Sequence, residues 1–308
     1  MALGLCCEWV ENTKGTLKNL LVSKKLQYGK FKKGEYTQTT IKQCYITNLT
    51  NLLDMLPTIN NSGIKFFRIS SSMFPLFDKV EPKLYDNTET KTLLERIGKY
   101  ILDNKMRVTT HPGQFIVLSS DDPNIVNNSI KEMNFHGWMF DCMNLPQTPY
   151  YSINIHGGKS NRQSSLINGI NRLNISAKNR MTLENDEFCY SIKDLEPISI
   201  ATNVPLVYDS HHHSFNDANL TGDKALEIAM KTWREIKPTT HLSNSCEQYR
   251  NPESPITKKR IHSDFIDYFP QHQLDMYNAG KIDIEVEAKA KNLAIFNILN
   301  KFKLTLAN

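Results

Sequence analysis

Six side chains suited to divalent-metal chemistry recur at the ends of apolar runs of strand length. His111, His156, Glu184 and Asp209 follow the third to sixth of these runs, His241 lies in the seventh, and Glu287 closes the eighth. Imidazole and carboxylate without thiolate suit zinc or manganese, and a set this large calls for two or three ions rather than one. Clustered ions of this kind generate a nucleophile at neutral pH and neutralise a leaving oxygen. His212 and His262 lie at loop positions from which they can join the set from above. One bridging carboxylate is required, and Glu184 is expected to supply it, since it stands between the early histidine pair and the later Asp209, His241 and Glu287. Glu184, Asp209 and Glu287 are therefore the carboxylates expected at the catalytic centre.

Each residue alone has a plainer reading. A single histidine after a strand is more often a hydrogen-bonded structural residue than a ligand. Glu184 could begin a polar loop, and Asp209 could cap a helix formed by His211-His212-His213. The recurrence at successive strand ends is what outweighs these readings. His136, beside Trp138, reads as structural, and His272 reads as exposed; both are left outside the site.

The elements that must position such a set are eight apolar runs, near 3–7, 64–69, 106–110, 151–155, 181–183, 204–208, 240–242 and 282–286. Helices are expected between them near 39–59, 88–103, 123–144, 161–177, 191–202, 222–235, 260–278 and 289–302. In the second, Leu93, Ile97 and Ile101 recur every fourth residue beside Leu94 and Tyr100, while Glu95, Arg96, Lys99 and Asp103 fill the other face. This alternation predicts an α/β chain forming a single (β/α)8 TIM barrel over residues 1–308, in which the C-terminal ends of all strands converge on one face. The segments 24–34 and 244–259 read as loops.

Six cysteines without a Cys-x-x-Cys pair argue against a disulfide frame or a zinc knuckle and for reduced thiols. No secretory signal or membrane span is legible, so a soluble, intracellular protein is expected. The formal charge of +5 is compatible with a polyanionic partner without demanding one.

Together and in this order, Phe67-Arg68-Ile69-Ser70-Ser71, His111-Pro112-Gly113-Gln114-Phe115, His156-Gly157-Gly158, Leu183-Glu184-Asn185-Asp186, Asp209-Ser210-His211-His212-His213, His262-Ser263-Asp264 and Glu287-Ala288-Lys289-Ala290-Lys291 resemble the UV damage endonucleases. That group is related in fold and metal site to endonuclease IV. The resemblance implies a nuclease that nicks duplex DNA immediately 5′ of a UV photoproduct, and often of abasic sites, leaving a 3′-hydroxyl and a 5′-phosphate. It implies a manganese-favouring cluster on His111, His156, Glu184, Asp209, His212, His241, His262 and Glu287, and a lesion-probing pair on Gln114 and Phe115. Lys159, Arg162, Lys289 and Lys291 are expected to hold backbone phosphates, with solvated surface as the plainer reading. Phe115 could instead begin a buried run through Leu118. Lesion-bearing double-stranded DNA is the expected partner, with no membrane and no obligate protein partner.

The chain also departs from that family. Thr239 stands where members commonly have a lysine that can be carboxylated in the metal site, and Lys237 lies one pleat deeper, roughly 6–7 Å away along the strand. Ser72 replaces a histidine of some members, and Leu5 and Trp9 replace an aromatic and an Asn. A divalent-metal sugar isomerase or epimerase is the rival enzyme, although five histidine ligands exceed the usual need of such a site. A catalytically inactive binder of damaged DNA is the third reading, favoured by Thr239.

Overall fold

The computed structural model describes residues 1–13, 16–19, 23–113 and 115–306. Eight four-residue strands close a parallel barrel: β1 (Leu3–Cys6), β2 (Phe66–Ile69), β3 (Arg107–Thr110), β4 (Ile153–His156), β5 (Met181–Glu184), β6 (Leu206–Asp209), β7 (Thr239–Leu242) and β8 (Asp283–Val286). They neighbour one another in chain order, and β1 joins β8 to β2. Val10–Thr13 and Thr16–Asn19 form a separate antiparallel ribbon after β1.

The connections are helical: α1 (Gln38–Asn61), α2 (Thr88–Asp103), α3 (Pro123–Cys142), α4 (Gln163–Asn171), α5 (Ile192–Thr202), α6 (Gly222–Thr232), α7 (Gln271–Asn278) and α8 (Asn292–Lys301). Local chemistry fixes their starts. Thr37 and Asn87 accept from the amides of Thr40 and Asn's third successor Thr90, and Ser191 with Asp194 forms a reciprocal capping box. On α2, Leu94, Ile97 and Ile101 are fully buried, each such side chain contributing about 1.5–3 kcal/mol.

Two expected helices differ. The one expected over 161–177 breaks into α4 and Ile175–Arg180, because the Asn174 side chain accepts from Ala177 N and starts a new helix. The one expected over 260–278 is confined to α7, which Pro270 precedes as N-cap; upstream the chain instead forms a bridge between Ser245 and His262. The loops at 24–34 and 244–259 carry short helical turns at Tyr28–Lys32, Glu247–Tyr249 and Ile256–Lys259. His272 is half-buried rather than exposed, with Nε2 3.0 Å from the Tyr208 hydroxyl.

Strand alternation sends every second residue into the barrel, and here that lining is charged. Arg107 donates from Nη1 to Asp283 Oδ2 at 3.0 Å near the N-terminal end, where Lys237 also reaches Asp283 at 2.8 Å. Gly4 gives room beside this lining, since a Cβ there would lie 2.8 Å from the Phe66 ring. Aliphatic packing lies mainly between the strands' outer faces and the helices, where Leu3, Ile69, Val108 and Ile284 are fully buried.

Candidate metal centre

Register delivers the site. His156 pairs with Glu184 between β4 and β5, Asp209 with His241 between β6 and β7, and His241 with Glu285 between β7 and β8. The side chains therefore stand side by side at the C-terminal mouth of the barrel. Among the described residues, three of the four triads whose donor atoms lie within 4.8 Å of one another are made of histidine and carboxylate: His111, His156 and Glu184; Glu184, Asp209 and His212; and Asp209, His241 and Glu287. His262 comes from the loop after β7, with Nε2 3.6 Å from Glu287 Oε2. Among the eight histidine and carboxylate positions expected from sequence, all converge on this mouth.

Glu184 is at the centre and almost fully buried. Its Oε1 lies 2.9 Å from His241 Nδ1 and 3.5 Å from His212 Nδ1, and its Oε2 lies 3.2 Å from His111 Nε2 and accepts from Asn154 Nδ2 at 2.5 Å. Asn154 is itself held by the Thr182 hydroxyl at 2.8 Å, so the carboxylate has one orientation. Burial opposes ionisation of Glu184, but the neighbouring His241 and His156, with hydrogen bonds from His111 and His241, hold its carboxyl well below the usual range.

Asp209 caps a helical turn with one oxygen and leaves the other available to a cation. Oδ1 accepts from the amides of His211 and His212 at 2.6 and 2.8 Å, capping the turn Ser210–His213. Oδ2 is buried without a hydrogen-bond partner among the described residues, 4.0 Å from Nδ1 of both His212 and His241. His156 Nδ1 is likewise buried without a partner. His111 Nδ1 lies 3.0 Å from the Pro112 carbonyl; in the neutral ring, donating there leaves Nε2 as an acceptor facing a carboxylate oxygen, whereas the protonated ring donates to Glu184. Acceptors that confront one another in a dry site need a proton or a cation between them, and imidazole anchored through its other nitrogen is the usual state of a metal ligand. The residues thus fit a divalent cation.

Beneath the mouth lies a layer that the sequence reading did not single out. Glu285 Oε2 accepts from Arg68 Nε at 2.6 Å and lies 3.3 Å from His241 Nε2, while Oε1 accepts from the Thr109 hydroxyl. Arg68 also donates from Nη2 to Glu287. Burial disfavours the Glu285 charge, yet Arg68 and His241 bring its carboxyl down to about 2. Cys6 is near Glu285 and Glu287, but burial pushes its thiol well up and Arg68 already neutralises the two carboxylates. The signal for this layer was the strand period of two: Glu285 precedes Glu287, and Asn154 precedes His156, on the same face.

The mouth opens into a cleft of about 480 Å³ whose walls include Cys7, Ser71, Pro112, Glu187, Phe188 and Arg260. Phe115, on the loop after β3, is 81% exposed, so the expected alternative of a buried run holds for Ile116 and Leu118 but not for Phe115. Gln114 lies outside the described residues. Lys159 and Arg162 are not independent charges, because both pair with Asp121, Arg162 Nε at 2.7 Å. Lys289 is exposed and Lys291 half-buried at the start of α8. Thr239 is buried with its hydroxyl unpartnered, and Lys237 is committed to Asp283 at the far end. Leu5 is fully buried and Trp9 nearly so.

A family model described as UV-endonuclease UvdE matches residues 1–307. A UV DNA damage endonuclease of Nostoc sp. is 34% identical over 269 residues, covering 85% of this chain and 79% of that protein. One of Deinococcus radiodurans is 32% identical over 272 residues, covering 84% of each. Among solved structures, SacUVDE superposes with a TM-score of 0.81 at 24% identity over 99% of this chain and 100% of that one. The 3-keto-D-glucoside 4-epimerase YcjR from E. coli reaches 0.53 at 12% identity over 82% of this chain and 94% of that one, a likeness of fold alone.

Proposed function

The chain belongs to the UV-endonuclease family, and from that premise we propose that it is a DNA-repair endonuclease nicking duplex DNA immediately 5′ of UV photoproducts, and of abasic sites, with a 3′-hydroxyl and a 5′-phosphate as products. The observation that carries this reading is the cluster of His111, His156, Glu184, Asp209, His212, His241, His262 and Glu287 at one strand-end mouth, with Asp209 Oδ2 and His156 Nδ1 buried and unpartnered. Two or three divalent ions, manganese by preference and zinc as the alternative, suit that donor set. When bound they supply a lowered pKa for water and positive charge at the leaving oxygen.

The protein's own residues do the rest. His111, His156 and Glu184 would hold one ion, and Asp209, His212, His241, Glu287 and His262 would hold its neighbours, with Glu184 placed to serve both. Glu285 and Arg68 keep His241 and Glu287 in place from below. Phe115, with Gln114, enters the duplex where lesion-weakened stacking lowers the cost of extruding bases. Lys289 and Lys291 take backbone phosphates; Lys159 and Arg162 do so only by exchanging Asp121 for them.

Incubation of irradiated and unirradiated plasmid with the Mn²⁺-loaded protein tests this reading. Nicks confined to irradiated plasmid, with ends that ligase and polymerase accept as 5′-phosphate and 3′-hydroxyl, support it. Binding of irradiated DNA without nicking favours the inactive binder instead, and turnover of a ketose panel would favour the sugar-epimerase reading.

A further inference from the structure

Phe188 is an aromatic side chain 52% exposed, on the loop that leaves the metal ligand Glu184, and it forms part of the cleft wall. Its exposure does not come from a loose loop. Asp186 Oδ1 accepts from the amides of Phe188 and Cys189 at 2.8 and 2.5 Å, its Oδ2 accepts from Tyr190 N at 3.1 Å, and Asp186 N donates back to Tyr190 O at 2.8 Å. The Tyr190 hydroxyl then donates to Lys159 O at 2.8 Å, tying this loop to the one after β4. A large apolar ring held in water by so many bonds forgoes burial it could otherwise gain.

The ring is also backed on one side. Arg260, from the loop after β7, places its guanidinium carbon 5.9 Å from the ring centre. Arg260 is oriented by Glu187, which accepts from Nη1 at 2.8 Å and is itself buried. Glu187 Oε2 lies 3.8 Å from His212 Nε2, so the platform is built directly onto the metal ligands. An aromatic face and a guanidinium plane beside one another are the surfaces on which nucleic-acid proteins stack splayed bases. The cleft volume of about 480 Å³ falls within the range of small-ligand sites.

We propose that Phe188, backed by Arg260, is the stacking platform for a base of the damaged strand turned out of the duplex into the metal cleft. The inference rests on the nuclease reading above and adds a second aromatic contact, separate from Phe115: one ring enters the helix and the other receives what leaves it. Phe188→Ala, Phe188→Tyr and the parent are compared on two duplexes of the same sequence, one carrying a thymine photoproduct and one a base-free abasic analogue at that place. Equilibrium affinity and single-turnover nicking are measured on both, with metal content checked. Phe188→Ala is expected to lose at least about tenfold on the photoproduct duplex, a loss at least several times larger than on the abasic one, while Phe188→Tyr stays near the parent. Parent-like values for Phe188→Ala, or equal losses on both duplexes, overturn the platform. A parent that nicks neither duplex fails the nuclease reading, and the affinities then decide the platform by the same comparison.

Discussion

Glu184 and His241 meet at the mouth of the barrel with carboxylate Oε1 2.9 Å from imidazole Nδ1, both side chains only 1% exposed. Burial alone disfavours the imidazolium, but Glu184 and Glu285 on either side raise the His241 pKa well above its ordinary value. Where no ion is bound these carboxylates favour a proton on His241, which a divalent ion would have to displace. Glu184→Ala removes the residue common to two of the triads. Bound metal is expected to fall by at least about 100-fold in affinity and nicking to be lost with it, because adjacent ions then repel with nothing between them. Metal analysis of the purified variant checks this, and full metal with intact nicking would remove Glu184 from the site.

Glu285 touches no substrate in this reading and acts by positioning. Glu285→Gln leaves His241 Nε2 and Arg68 without their carboxylate partner. Metal affinity should drop about 10- to 100-fold, with a stability loss of about 1–3 kcal/mol, because Arg68 keeps Glu287 as its remaining carboxylate partner. Metal titration and urea denaturation give the two numbers separately. Loss of stability without loss of affinity would reduce Glu285 to a structural counter-charge.

The barrel was legible because alternation of apolar runs and amphipathic helices is repeated, and six of the eight candidate ligands stand at or beside a strand end. Asp209 shows why function is harder to read than fold: capping and ligation demand the same residue in the same place, and its two oxygens divide the jobs. Arg68, although quoted in a motif, and Asn154 and Glu285 were given no role, because a polar or charged residue in a short strand reads as its solvent face, whereas closure of the barrel makes that face the interior. Asp121 engages two of the cations expected at phosphates through ion pairs between separate loops, which no spacing encodes.

Thr239 bears on metal number. Its hydroxyl is buried and unpartnered below His241, and Lys237 is held 2.8 Å from Asp283. The parent should carry fewer than three tightly held ions, and Thr239→Lys, with bicarbonate present, should raise occupancy or Mn²⁺ affinity. Three full ions in the parent would show that another group fills this role.

His136 in α3 is 2% exposed with neither ring nitrogen partnered. Burial, with a smaller contribution from His111, pushes its pKa down to about 4. The unfolded chain then takes up this proton near pH 6.5 while the folded protein does not, so the stability it contributes is present above that pH and is lost as pH falls toward 4. The loss is on the order of 3 kcal/mol at most. His136→Leu should flatten the decline in stability between pH 6.5 and 4.5 relative to the parent in urea denaturation; an unchanged slope would assign the decline to other groups.

The last prediction separates sensing from cleavage on one short loop. His111 turns inward to Glu184, while Phe115 stands 81% exposed four residues on, after Pro112 and Gly113. A ring so exposed gains nothing from the fold, but in the gap left by extruded bases it gains a stacking contact worth about 1–3 kcal/mol. Changing both Gln114 and Phe115 to Ala should leave metal content as in the parent and reduce affinity and nicking on photoproduct DNA by at least about tenfold, or about 1.4 kcal/mol. His111→Ala should do the reverse, sparing damaged-DNA binding more than cleavage, because it removes a nitrogen from the metal triad and nothing from the loop above. Binding isotherms and single-turnover nicking on the same duplex separate the two effects. If the double variant nicks irradiated DNA as well as the parent, the loop has no probing role and Phe115 is exposed for some other partner.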